Sequence, residues 1–270
     1  MKGQWLATWH PRPTEHPVLL CVPPAGAGCG QFRSWQPLLG PEFTVIGVQL
    51  PGRESRWTEP PAARVDQVVA AVIGELIGLL PAHRPLVVFG HSFGGLLGYE
   101  ITRRLGECRR WPTALVVAAC PPPHLWVGTG RGLLDNDETL TQLLDLRALG
   151  EDELDEDSRE LMLEVLRQDA RLSLSYPDPL AATDFLAART QCTLEAWGGQ
   201  YDEIVTVGHL DGWRDYTAGD FRRRQFPGGH YFCLDRVKTI IPTLTELFAQ
   251  QSTTAAGVAA TPDHRRPPCG

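Results

Sequence analysis

The sequence predicts an α/β domain, a mostly parallel central sheet flanked by helices, with a helical insertion over one end of the sheet. Three observations lead there. Short β-rich runs alternate with longer runs of helical periodicity. Most of the β-rich runs are almost continuously apolar, as strands covered on both faces must be. The alternation then fails once, between Pro121 and Thr190, where no clear strand occurs.

Composition agrees with a folded domain. The 270 residues are 43% hydrophobic and 21% charged, enough apolar material for a sizeable core. Basic residues number 25 and acidic residues 32, a net charge of −7, which argues against nucleic acid as the main partner. The seven cysteines are an odd number without a C-x-x-C pair. Several lie in apolar runs, so buried free thiols are expected in place of disulfides or a zinc site, and no cofactor or metal is called for. No apolar signal core opens the chain, and the longest mostly apolar stretch, 68–80, contains Glu75 and is too short to span a bilayer. A cytoplasmic protein with no membrane partner is the expectation. Residues 1–15 read as an N-terminal extension, 16–250 as the domain with its insertion at about 121–190, and the Ala/Thr/Pro-rich 251–270 as a disordered tail.

Taken in order, the predicted strands are Val18–Val22, Phe43–Val48, Leu86–Phe89, Ala114–Ala119, Thr193–Trp197 and Phe221–Phe226. The last carries Arg222, Arg223 and Arg224 and so belongs near a sheet edge. Val65–Leu80 is apolar at 65, 68, 69, 72, 73, 76, 77 and 80, one face of a helix. Leu96–Leu105 and Tyr231–Ala249 are the other clear helices, and Pro242 is expected to kink or divide the second. Within the insertion, the acidic run 151–157 reads as a solvated segment. Ser158 is then expected to cap an amphipathic helix with apolar positions 161, 162, 165, 166 and 172.

The strongest chemical signal is Leu86-Val87-Val88-Phe89-Gly90-His91-Ser92-Phe93-Gly94-Gly95, a buried-strand run entering G-x-S-x-G and then a helix. That context places Ser92 on a tight strand-to-helix turn with its hydroxyl exposed at the sheet edge, the arrangement of the α/β-hydrolase fold. Gly90 and Gly94 are needed where side chains would clash. A nucleophilic serine needs a base and an orienting acid, which in this fold follow it in the order acid, then histidine. His230, after the last strand in Pro227-Gly228-Gly229-His230, is the expected base, while His91 supports the turn. Asp202, beyond the strand at 193–197, is the expected acid, with Glu203 the near alternative. The oxyanion hole needs two backbone donors. One is the N–H of Phe93. The other comes from Pro23-Pro24-Ala25-Gly26, where the prolines have no N–H, so Ala25 is first in line and Gly26 next. This glycine-rich loop lacks the lysine and spacing of a nucleotide P-loop.

These segments together resemble the type II thioesterases of polyketide and non-ribosomal peptide pathways. The likeness covers roughly 16–250. It rests on Pro23–Ala27, Gln49-Leu50-Pro51-Gly52-Arg53-Glu54-Ser55-Arg56, the Gly90–Glu100 elbow, Arg167-Gln168-Asp169-Ala170-Arg171, Gly198–Asp202 and Gly229-His230-Tyr231-Phe232. The resemblance implies hydrolysis of acyl or aminoacyl groups from the phosphopantetheine arm of acyl or peptidyl carrier protein domains. It also implies an acidic carrier surface, for which Arg53, Arg56, Arg131 and Arg147 are candidate contacts. The insertion, which interrupts the alternation and carries the acidic stretch, reads from the sequence as a mobile lid. The family often has an aromatic residue or histidine at the place of Pro24 and methionine at that of Phe93, departures that bear on acyl preference. A small-molecule carboxylesterase, or an acyltransferase with the same triad, is the nearest rival reading. A non-catalytic binding module is the remote one.

Overall fold

The computed structural model describes residues 4–9, 15–126, 138–142, 155–177 and 189–258. Seven strands form one sheet: β1 (Leu6–Thr8), β2 (Val18–Val22), β3 (Thr44–Val48), β4 (Leu86–His91), β5 (Ala114–Ala118), β6 (Thr193–Gly199) and β7 (Phe221–Phe226). Their order is β1-β3-β2-β4-β5-β6-β7; β1 pairs antiparallel with β3 and every other neighbouring pair is parallel. The six predicted strands all form, and the arginine-bearing β7 lies at an edge as its composition requires. Strand β1, inside the segment read as an extension, was not foreseen because three residues carry too little periodicity.

The alternation of side chains along each strand splits the core into two layers. Val18, Leu20, Val22, Val88, Leu115 and Val117 face a layer completed by helices α2 (Val65–Leu79) and α3 (Phe93–Glu107), whose buried stripes include Val68, Val72, Leu96 and Leu97. Leu19, Cys21, Val87, Phe89, Val116 and Trp197 face the other layer, with helix α1 (Trp35–Leu39). Phe32, Trp35, Phe89, Trp197 and Phe226 meet there in a chain of tilted and edge-on ring contacts, with neighbouring centroids 5.0 to 6.2 Å apart. Each such buried side chain contributes on the order of 1.5–3 kcal/mol of transfer free energy.

Helix α4 (Glu156–Leu174) is the described part of the insertion that packs on the body, and residues 121–190 contribute no sheet strand among those described. Its N-cap is Asp155, whose carboxylate accepts from the Ser158 N–H at 2.7 Å; Ser158 therefore lies inside the first turn and is not the cap. Asp155, Glu156 and Asp157 all sit where the helix dipole favours negative charge. The rest of the acidic run, 151–154, lies outside the described residues.

After α5 (Val207–Asp211), the C-terminal helix is divided, though not at Pro242. The break is at Arg236 (φ −126°, ψ 42°), between α6 (Phe232–Asp235) and α7 (Val237–Val258), and Pro242 lies inside α7. The amide missing at Pro242 frees the carbonyl of Lys238, an exposed residue where water can take its place. Ile240, Leu244, Leu247 and Phe248 bury the inner face of α7 against the aromatic layer. Helical backbone continues to Val258, beyond the point where composition suggested the tail begins.

Candidate active site

The elbow at Ser92 follows from what cannot fit beside it. Ser92 has φ 52° and ψ −122°, a region that costs an ordinary residue energy and is held only when its surroundings over-determine it. The surroundings do. The Ser92 N–H donates to Ala118 O at 2.8 Å, and the Gly95 N–H donates to Ser92 O at 2.8 Å. A Cβ at Gly90 would stand 2.1 Å from Gly94 O, and one at Gly94 would stand 2.3 Å from Val22 O. Only glycine at both positions lets β4, the start of α3 and the end of β2 approach this closely, as the motif's spacing implied. Helix α3 begins at Phe93, earlier than the periodicity suggested, so Ser92 occupies its N-cap position.

The acid and the base are brought together by two further glycine pairs. A Cβ at Gly199 would lie 2.2 Å from Gly229 O and 2.5 Å from Gly228 O. The chain after β6 thus runs against the loop after β7, tied by Gln200 N–H to Phe226 O at 2.9 Å and Tyr201 N–H to Gly228 O at 3.0 Å. Across that seam His230 Nδ1 stands 3.0 Å from Asp202 Oδ2 and 3.2 Å from Oδ1, while its Nε2 stands 3.1 Å from Ser92 Oγ.

The proton positions follow from the partners. An ionised carboxylate only accepts, so Nδ1 carries the proton and Nε2 is left to accept from the serine hydroxyl. Burial works to raise the pKa of Asp202. The hydrogen bond and charge of His230, with the N–H groups of Val205 and Ile204, outweigh it and hold the carboxyl below its ordinary value. Those two amides bond to Oδ1 at 3.0 and 2.9 Å and fix the carboxylate's orientation, and its side chain is fully buried beside His230. Glu203 is exposed and takes no part. His91, expected to support the serine turn, is buried beneath and donates from Nε2 to His230 O at 2.9 Å, so the contact it makes is with the base's backbone.

The loop at 23–27 closes over the same spot. An Ala27 N–H bond to Pro24 O at 3.2 Å, with Gly26 at φ 71°, makes a type II turn. The Gly26 N–H is taken by Asp169 Oδ2 of α4 at 2.7 Å. That leaves Ala25 as the loop's available donor. Phe93, at the first position of α3, has an N–H that helix geometry leaves without an intrahelical acceptor. Trp126 packs its ring on Phe93 with centroids 5.7 Å apart, forming an aromatic wall next to the elbow.

Sequence reasoning misplaced two arginines. Arg53 and Arg56 are buried, not surface contacts. Arg53 forks onto Asp169 at 2.7 and 2.6 Å, and Arg56 pairs with Glu59 and donates to Gln49 O. Neither is placed to meet a partner protein. Arg131 and Arg147 lie outside the described residues. Buried thiols do not compete with Ser92: burial raises Cys21 and Cys120 well above the ordinary thiol range and pushes Cys192 up to about 12. Among the described residues no helix is long and apolar enough to cross a membrane.

The chain can be set beside known proteins. A thioesterase-domain family model matches residues 17–248. The probable cadicidin biosynthesis thioesterase of Streptomyces griseus is 30% identical over 243 residues, covering 88% of this chain and 65% of that protein, so the chain spans just under two thirds of that relative. The gramicidin S biosynthesis protein GrsT of Aneurinibacillus migulanus is 30% identical, with 79% of this chain and 82% of that protein covered. Among solved structures, the type II thioesterase BorB from the borrelidin biosynthetic cluster superposes with a TM-score of 0.77 at 28% identity, over 90% of this chain and 97% of that one. The RedJ thioesterase of the prodiginine pathway in Streptomyces coelicolor gives 0.73 at 31%, over 89% and 90%. With the hydrolase sheet and serine elbow already in place, these matches show that the chain belongs to the thioesterase family, among its type II members.

Proposed function

We propose that the thioester this enzyme hydrolyses is an acyl or aminoacyl group on the phosphopantetheine arm of a carrier-protein domain, in polyketide or non-ribosomal peptide biosynthesis in the cytoplasm. Ser92 is the nucleophile, His230 the general base and Asp202 the residue that holds its tautomer; the N–H groups of Ala25 and Phe93 form the oxyanion hole. The observation that carries these catalytic roles is the continuous chain from Ser92 Oγ to His230 Nε2 at 3.1 Å and from His230 Nδ1 to Asp202 at 3.0 Å.

Nε2 takes the hydroxyl proton as Oγ bonds to the thioester carbon, and the carbonyl π pair moves onto oxygen, facing the two amides. Collapse of the adduct breaks the C–S bond. His230 returns its proton to the leaving sulfur, giving the free pantetheine thiol and an acyl ester on Ser92. Water repeats the sequence, with Nε2 again taking and returning one proton, and releases the acid. Asp202 stays ionised throughout and stabilises the imidazolium between the two transfers.

An oxygen esterase would use the same three side chains. The family likeness favours a thioester, and the relatives' biosynthetic names favour its delivery by a carrier. The test compares kcat/KM for an acyl-carrier-protein thioester with that for the matching p-nitrophenyl ester. Preference for the carrier substrate supports the proposal. Equal or better hydrolysis of the p-nitrophenyl ester, with no saturation by carrier, would refute it in favour of the esterase.

A further inference from the structure

We infer that Asp169 and Arg53 are positioning residues for the oxyanion hole, holding the Ala25–Gly26 peptide so that Ala25, and not Gly26, turns its N–H toward the carbonyl on Ser92. The inference rests on the proposed catalytic reading of Ser92 and deepens it.

Besides Ala27, whose N–H closes the turn onto Pro24 O, two amides in the 23–27 loop can donate, those of Ala25 and Gly26, and they belong to consecutive peptides of one type II turn. Such a turn has a close alternative in which its central peptide is rotated by about half a revolution (type I). Here the central peptide is Ala25–Gly26, and its N–H is bonded to Asp169 Oδ2 at 2.7 Å. The same carboxylate is gripped by Arg53 through both Nη atoms at 2.7 and 2.6 Å, and Arg53 Nη1 also donates to Ala27 O at 3.1 Å. The turn is thus held at Gly26 N–H by the acid and at Ala27 O by the base. Rotating the central peptide would break the charge-assisted bond from the Gly26 N–H to the Asp169 carboxylate, which is half of a buried ion pair whose side chains are 6% and 1% exposed.

The contact surfaces are shaped for this seat. A Cβ at Gly26 would stand 2.6 Å from the Leu166 side chain of α4, and one at Gly52 would stand 2.9 Å from Gln168 Oε1. Gly26 and Gly52 have φ 71° and 80°. Leu166, Gln168 and Asp169 of α4 therefore lie against the oxyanion loop and the Leu50–Arg56 segment together. Ala25 in turn packs against the apolar cluster of Leu163 and Leu166. On the opposite side, the backbone of 22–23 presses on Gly94, two residues past the nucleophile. A buried ion pair is a weak device for stability alone, since apolar replacements often serve as well. Here it supplies a fixed direction for a dipole.

The experiment uses the full chain, with the folded fraction set by circular dichroism and active sites counted by labelling Ser92. Three quantities are measured for wild type, Asp169→Asn and Arg53→Lys. They are kcat and KM on an acyl-pantetheine thioester, the affinity of a pantetheine trifluoromethyl ketone, which forms an oxyanion on Ser92, and that of the pantetheine thioether lacking a carbonyl. Loss of one well-aimed oxyanion donor costs on the order of 10²–10³-fold in kcat, and a misdirected donor should lose ~10–100-fold. The expected result is such a fall in kcat per active site, a matching fall in ketone affinity, and KM and thioether affinity within about twofold. Unchanged kcat and ketone affinity would overturn the inference, as would losses confined to KM and thioether binding. If neither variant folds, the wild type decides. Ketone addition should shift the amide resonances of Ala25 and Phe93 and leave Gly26 in place. A shifted Gly26 amide with Ala25 unmoved overturns the positioning role alone. Failure of the ketone to add to Ser92 at all would bring down the catalytic reading together with it.

Discussion

The division of labour between neighbouring acids is decided at Asp202, where burial against His230 and two backbone amides distinguishes it from the exposed Glu203. Replacing Asp202 by Asn would present a donor to Nδ1 and favour the wrong imidazole tautomer. Steady-state assays should show a loss of about 10⁴-fold in kcat for Asp202→Asn and near-wild-type turnover for Glu203→Gln. The reverse ranking would reassign the acid. A second consequence concerns stability. The Asp202 carboxyl sits below its ordinary value in the folded protein, so it binds its proton later than in the unfolded chain. Its stabilisation is therefore present above the unfolded pKa, about 3.9, and is lost as pH falls through the lower folded value. Thermal unfolding should show wild type losing more Tm than Asp202→Asn as pH drops from about 5 to below 4. A gap between the two that stays constant or widens in that window would contradict the assignment.

Elements are set against each other here by glycines of two physically different kinds. Gly90, Gly94 and Gly199 stand where a Cβ would meet backbone at 2.1 to 2.3 Å, so the approach of strand ends to the elbow depends on them. Gly74, in α2, has nothing within 4 Å of its would-be Cβ and gains nothing from the missing side chain. Denaturant unfolding should find Gly94→Ala destabilised by about 1–3 kcal/mol or more, with activity reduced. Gly74→Ala should be stabilised by roughly 0.5–1 kcal/mol with activity unchanged. Equal effects at the two sites would mean that backbone crowding does not govern the elbow. The G-x-S-x-G motif was readable because its contacts are local. Strands buried on both faces were readable for the same reason, since their apolar runs are continuous in sequence. The caps and breaks were less so: Asp155 took the role read for Ser158, and the C-terminal helix parted at Arg236, where no proline or glycine marks it.

Across the whole molecule, what stayed hidden is what joins distant segments. Arg53 and Asp169 are 116 residues apart, and in sequence each has the appearance of an ordinary solvated charge. Their pairing fastens α4 to both the 23–27 loop and the Leu50–Arg56 segment, so a part of the insertion read as a mobile lid is, over 156–174, seated by a buried ion pair. The outer face of α4 still carries exposed ion pairs, Arg167 with Glu160 and Arg171 with Glu164, of little energetic weight. Hydrogen exchange should be faster in α4 than in β4 and β5, whose residues are all buried, and should slow in α4 once carrier-bound substrate is present. Exchange in α4 as slow as in those strands would remove the insertion from any gating role.

The reading of the site as a whole turns on whether the carrier's acyl group passes through Ser92. Rapid-quench mass spectrometry of the enzyme mixed with an acyl-carrier-protein thioester tests this directly. The acyl mass should appear on the peptide containing Ser92 within one turnover and decay as the free acid forms. The folded Ser92→Ala protein should show neither adduct nor turnover, a rate loss on the order of 10³-fold or more. An adduct on another residue, or hydrolysis that survives in Ser92→Ala, would contradict the mechanism.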